Sequence, residues 1–90
     1  MSMIIDEYKI YVFQFCSHRI VINDGERMLE YQDELPSGDW IIDGGLSFDV
    51  IKRTCKIESL IDALIGHLNI EDVRTERSKI RTVLKKVVYK

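Results

Sequence analysis

The segment at residues 8–23, YKIYVFQFCSHRIVIN, constrains what this chain can fold into more than any other. It is the one long run of aromatic and β-branched residues, the side chains that suit a pleated, half-buried surface. Over its first half both parities are apolar: Tyr8, Ile10 and Val12 on one, Tyr11, Phe13 and Phe15 on the other. Successive side chains of a strand point to opposite faces, so a strand apolar on both is covered on both. It belongs at the centre of a sheet or at a subunit interface. Residues 8–16 are read as the first strand, with Met3, Ile4 and Ile5 placed to extend it. At Ser17 and His18 the chain either turns tightly or bends and continues as one strand to Asn23; no Gly, Pro or Asn marks a turn there, so the bend is preferred.

A hairpin follows. Asn23-Asp24-Gly25 lies between two β-like segments, and Asn and Gly tolerate the positive φ of tight turns. A two-residue loop at Asp24-Gly25 sets Ile22 opposite Arg27, Ile20 opposite Leu29 and His18 opposite Tyr31, with Val21–Met28 and Arg19–Glu30 on the other face. A three-residue loop shifts these pairs by one. Residues 32–39, QDELPSGD, hold the single proline and read as a loop. Trp40-Ile41-Ile42-Asp43 reads as a short strand, and Gly44-Gly45 as the end of the sheet.

The hydrophobic period then changes. Ser47 suits an N-cap and Asp49 the first turn of a short helix to about Thr54. Ile57, Leu60, Ile61, Leu64, Ile65 and Leu68 follow the i, i+3, i+4 spacing of an amphipathic helix, out of phase with Val50, Ile51 and Cys55. The two helices therefore break near 55–56. Asn69 suits the left-handed residue that ends the second. A last helix over about 71–88 puts Val73, Ile80, Leu84 and Val87 on one face, with Val83 and Val88 at its edges and Glu71–Arg74 and Glu76–Lys79 as supporting pairs. The fold class this implies is α+β: an antiparallel three- to four-stranded N-terminal sheet followed by two or three helices packed on one face. Ninety residues make one domain, 1–90, with a β-meander portion at 1–46 and a helical portion at 47–90. A homodimer through Tyr11, Phe13 and Phe15 is the alternative use of the doubly apolar strand.

Charge is divided along the chain. Residues 1–50 carry ten carboxylates against three basic residues, whereas residues 71–90 carry seven basic residues against three carboxylates. No apolar run approaches the ~20 residues of a bilayer span, and the start has no basic residue before its apolar ones. Hence no membrane association is expected, and a cytoplasmic location is the default. Two cysteines, Cys16 and Cys55, cannot form a disulfide framework and read as buried free thiols.

No spacing of residues points to catalysis, so the chain is not read as an enzyme, and no cofactor or metal is assigned. His18 and His67 are read as separate, partly buried structural histidines. Asp43-Gly44-Gly45 resembles a phosphate cradle only weakly, since Asp43 and Asp49 repel an anion. The stronger candidate is an acidic partner-binding segment, Asp33, Glu34, Asp39 and Asp43 around the aromatic anchor Trp40. It suits a small non-enzymatic protein-binding domain of inhibitor, immunity or adaptor type, directed at a basic partner protein, such as a nuclease or another nucleic-acid-binding protein. The alternative is a nucleic-acid-binding regulator using Arg74, Arg81 and Lys85 on the outer face of the last helix. Arg77, close to the apolar stripe, is expected to snorkel or to pair with an acidic group of the sheet.

Overall fold

The computed structural model describes residues 2–5, 10–71 and 73–90; the expectations for Tyr8 and for Asp72 lie outside them. Five antiparallel strands form a meander in chain order: β1 Ser2–Ile5, β2 Ile10–Phe15, β3 His18–Asn23, β4 Met28–Glu34 and β5 Trp40–Ser47. Three helices follow, α1 Phe48–Thr54, α2 Ile57–Leu68 and α3 Val73–Val87. The α+β layout of a sheet followed by helices is the one the sequence implies. Met3, Ile4 and Ile5 do not lengthen the first long strand; they lie in a separate edge strand paired to β2.

The two parities of β2 separate cleanly. Tyr11 and Phe13 face Ile22 and Ile20 of β3 across the ladder, and these in turn face Leu29 and Tyr31 of β4. That face lies under the helices. Tyr11, Phe13, Ile20, Ile22 and Leu29 form one buried cluster with Phe48, Ile51, Leu60, Ile61, Leu64, Leu68, Ile80 and Leu84, and Phe15 packs against its margin. The side chains suspected of forming a homodimer are thus core or core margin of one chain. Ile10 and Val12 take the opposite face, away from the buried cluster, and remain partly exposed.

Two turns differ from the reading of the sequence. The chain does not bend through Ser17 but reverses: Phe15 pairs with His18 across a two-residue loop, and Cys16 takes the left-handed conformation at φ 52°. Cys16 is exposed at that turn and Cys55 half-buried, and both are free thiols. The second hairpin closes through four residues, with Arg27 left-handed at φ 56° and the Asn23 side chain accepting from the Glu26 amide. Every pair across β3 and β4 is consequently shifted by two: Ile22 faces Leu29, Ile20 faces Tyr31 and His18 faces Asp33. A shift of two preserves parity, so the same residues stay on the core face.

Gly44-Gly45 does not end the sheet, because β5 runs through it to Ser47. A bulge at this point leaves Asp43 without a partner, as Tyr31 pairs with Gly44 and Gln32 with Ile42. A Cβ on Gly45 would stand 3.2 Å from the Leu29 carbonyl oxygen, so the close approach of β4 favours glycine there. The helix termini follow the sequence closely. Ser47 caps α1 by accepting from the Val50 amide at 3.2 Å, and Asn69 closes α2 in the left-handed conformation. Val73 departs from its expected place on the buried stripe of α3 and is exposed, whereas Glu76 is buried with Oε2 lacking a hydrogen-bond partner among the described residues.

Candidate functional site

The acidic segment and the aromatic anchor do not converge as one patch. Glu34, Asp39 and Asp43 are exposed in and around the turn joining β4 to β5, but Asp33 lies on the helix-covered face. Trp40 pairs with Glu34 and so lies on the open face of the sheet. The Arg19 guanidinium stacks on its ring at 4.1 Å, and Arg19 Nε donates to Gln32 Oε1 at 2.7 Å. Partial burial holds the Arg19 pKa below the usual guanidinium range, with Glu34 opposing that shift. Trp40 is therefore neither core nor a free anchor, since a cation covers one face of its ring. Beside it, Ile41 and Ile42 are exposed at 46% and 63%, and Leu35 is exposed as well.

The basic residues of α3 divide in two. Arg81 is paired within the fold, its Nε and a terminal nitrogen donating to Glu58 of α2 at 2.8 and 3.1 Å. Arg77 donates to Glu58 and to Asp62, so its partners are in α2 and not in the sheet. Hydrogen bonding from Arg81 first and Arg77 second holds the Glu58 carboxyl down to about 2. The Arg77 and Arg81 pKa values are raised in return, chiefly by Asp62 and Glu58 respectively. Arg74 and Lys85 remain exposed. Arg74, Thr75, Ser78, Lys79, Thr82 and Val83 line a shallow depression of 470 Å³ along the helix.

A third constellation escaped the sequence reading, which took the two histidines singly. His18, Asp33 and His67 meet where the β2–β3 turn, the end of β4 and the last turn of α2 converge. His18 Nδ1 donates to Asp33 Oδ1 at 2.7 Å, and His67 Nε2 lies 3.7 Å from the same oxygen. His67 Nε2 also lies 3.3 Å from the Gln32 carbonyl oxygen, toward which it donates. The His67 ring packs on Tyr31 at 4.9 Å between centroids and meets His18 edge-on at 5.5 Å. Burial pushes the Tyr31 hydroxyl up from its ordinary pKa, with Cys55 adding to the shift. The signal in sequence was the register: a four-residue loop after Asn23 sets the first histidine opposite an aspartate.

Comparison with protein-family models, with curated proteins and with solved structures found no match to this chain. Among the described residues no helix is long and apolar enough to cross a membrane.

Proposed function

We propose that the chain is a small non-enzymatic protein-binding domain of inhibitor, immunity or adaptor type, engaging a basic partner through the start of β5 and the turn before it. The observation that carries this reading is the exposure of Ile41 and Ile42, on opposite faces of one edge strand, beside the carboxylates of Glu34, Asp39 and Asp43. Exposed apolar side chains ringed by one sign of charge suit an interface whose centre excludes water and whose rim steers the partner in. β5 is the last strand of the sheet, but the bulge at Asp43 divides its regular edge into three residues, Trp40–Ile42, and four, Gly44–Ser47. Both are short for strand addition, so the contact is assigned to side chains.

The test compares the immobilised wild-type chain with Ile42→Lys and with the double variant Arg74→Ala/Lys85→Ala. A protein retained by the wild type and the double variant, lost by Ile42→Lys, and bound more slowly as salt rises is the expected outcome. Retention that survives Ile42→Lys but fails in the double variant contradicts this reading. It would instead favour the second one, nucleic-acid binding through Arg74, Lys85 and the depression that Arg74 and Lys79 line. Retardation of duplex DNA or RNA at low salt, lost in the double variant, supports that alternative directly.

A further inference from the structure

We infer that His18, Asp33 and His67 form a binding site for one divalent transition-metal ion of Zn2+ type. Their donor atoms, one from each residue, all lie within 4.8 Å of one another. A tetrahedral ion with bonds of ~2.0–2.1 Å to nitrogen and oxygen holds its donors ~3.3–3.4 Å apart. The 3.7 Å between His67 Nε2 and Asp33 Oδ1 is within a few tenths of that spacing. The ion replaces two hydrogen bonds, from His18 Nδ1 to Asp33 Oδ1 at 2.7 Å and from His67 Nε2 to the Gln32 carbonyl oxygen at 3.3 Å. Opening the first by ~0.6 Å, with the two imidazole nitrogens drawn from within 4.8 Å of each other to the same ~3.4 Å spacing, completes the geometry.

The scaffold holds these donors in advance of any ligand. His18 and Asp33 are direct partners across the β3–β4 ladder, so backbone hydrogen bonds fix their separation. His67 is the only one contributed by a helix, and its ring is held against Tyr31. Side-chain exposures of 40%, 32% and 15% for His18, Asp33 and His67 leave a path for an ion without placing the donors free in solvent. Two imidazoles and one carboxylate suit Zn2+ and neighbouring first-row ions, whereas Mg2+ and Ca2+ call for shells of oxygen. Three protein ligands leave a fourth position for water or for a donor from a partner. An ion here ties the end of α2 to the middle of the sheet.

The inference stands apart from the protein-binding reading, and either can fail alone. The test uses the full chain without a histidine tag, with Zn2+ and Mg2+ titrated calorimetrically and Co2+ followed by its visible d–d bands. One Zn2+ or Co2+ per chain, tetrahedral Co2+ bands, a rise in melting temperature with Zn2+ and no response to Mg2+ are expected. His18→Gln, Asp33→Asn and His67→Gln should each weaken binding by ~10-fold or more while far-ultraviolet circular dichroism is unchanged. Cys16→Ser, which alters an exposed thiol outside the site, should bind as the wild type does. Absence of binding at submillimolar Zn2+, or binding that persists in both histidine variants, overturns the proposal.

Discussion

Replacing Phe13 by Ala removes an aromatic ring from the centre of the sheet's covered face, where it is wholly inaccessible to solvent. It stands opposite Ile20 in β3 and opposite Met3 in β1, so backbone ladders on both sides prevent the strands from collapsing into the space left. A Phe→Ala change at such a site costs ~3–5 kcal/mol, the transfer term plus the cavity term. A 90-residue domain has a total stability of ~5–13 kcal/mol, so the variant loses a large share of it. With ~4–8 °C of melting temperature per kcal/mol at this size, the midpoint should fall by at least ~12 °C. Urea unfolding followed by circular dichroism, run at two protein concentrations well apart, gives the loss and its origin. In the core of one chain the unfolding midpoints are independent of concentration, whereas at a subunit interface they rise with concentration. Ile42→Ala, at an exposed position, should change stability by no more than ~0.5 kcal/mol. A Phe13→Ala cost below ~1 kcal/mol, or midpoints that rise with protein concentration, refutes the placement of this ring in the chain's own core.

Three further outcomes follow from local geometry. The Glu58 carboxyl, held at about 2 by Arg81 and Arg77, adds stability that is fully present above the ordinary carboxyl value of 4.5. This contribution disappears as pH falls through about 2, and Glu58→Gln should flatten that part of the acid-unfolding curve. Ser47→Ala removes the acceptor of the Val50 amide and should cost ~1 kcal/mol in chemical denaturation. Asn69→Gly should be tolerated at φ 55° and Asn69→Ala should be destabilising by ~1 kcal/mol, a difference read from paired thermal melts.

The elements were legible because hydrophobic period survives small errors of alignment. α2 could be read from six apolar residues on one stripe, and its end from Asn69. The β3–β4 pairs were misplaced by two positions, yet Ile20, Ile22 and Leu29 kept their core face because a shift of two leaves parity intact. Side-chain chemistry is less forgiving. The same error of two placed Tyr31 opposite His18 and hid the contact with Asp33. The third member, His67, depends on how α2 docks over β3 and β4, which no local pattern specifies. The partner of Arg81 was hidden for the same reason, since Glu58 lies 23 positions away and meets it only once the helices pack. Cys16 shows the limit of turn chemistry: strand pairing on both sides forced a non-glycine residue into the left-handed region.

The claim that the start of β5 is the working surface is tested most directly by amide hydrogen exchange of the chain alone and bound to its captured partner. Slowed exchange confined to residues 34–43, with the amides of residues 74–85 unchanged, is the result expected if Ile41, Ile42 and their flanking carboxylates meet the partner. Slowed exchange over residues 74–85 with residues 34–43 unaffected contradicts it and moves the contact to the basic helix.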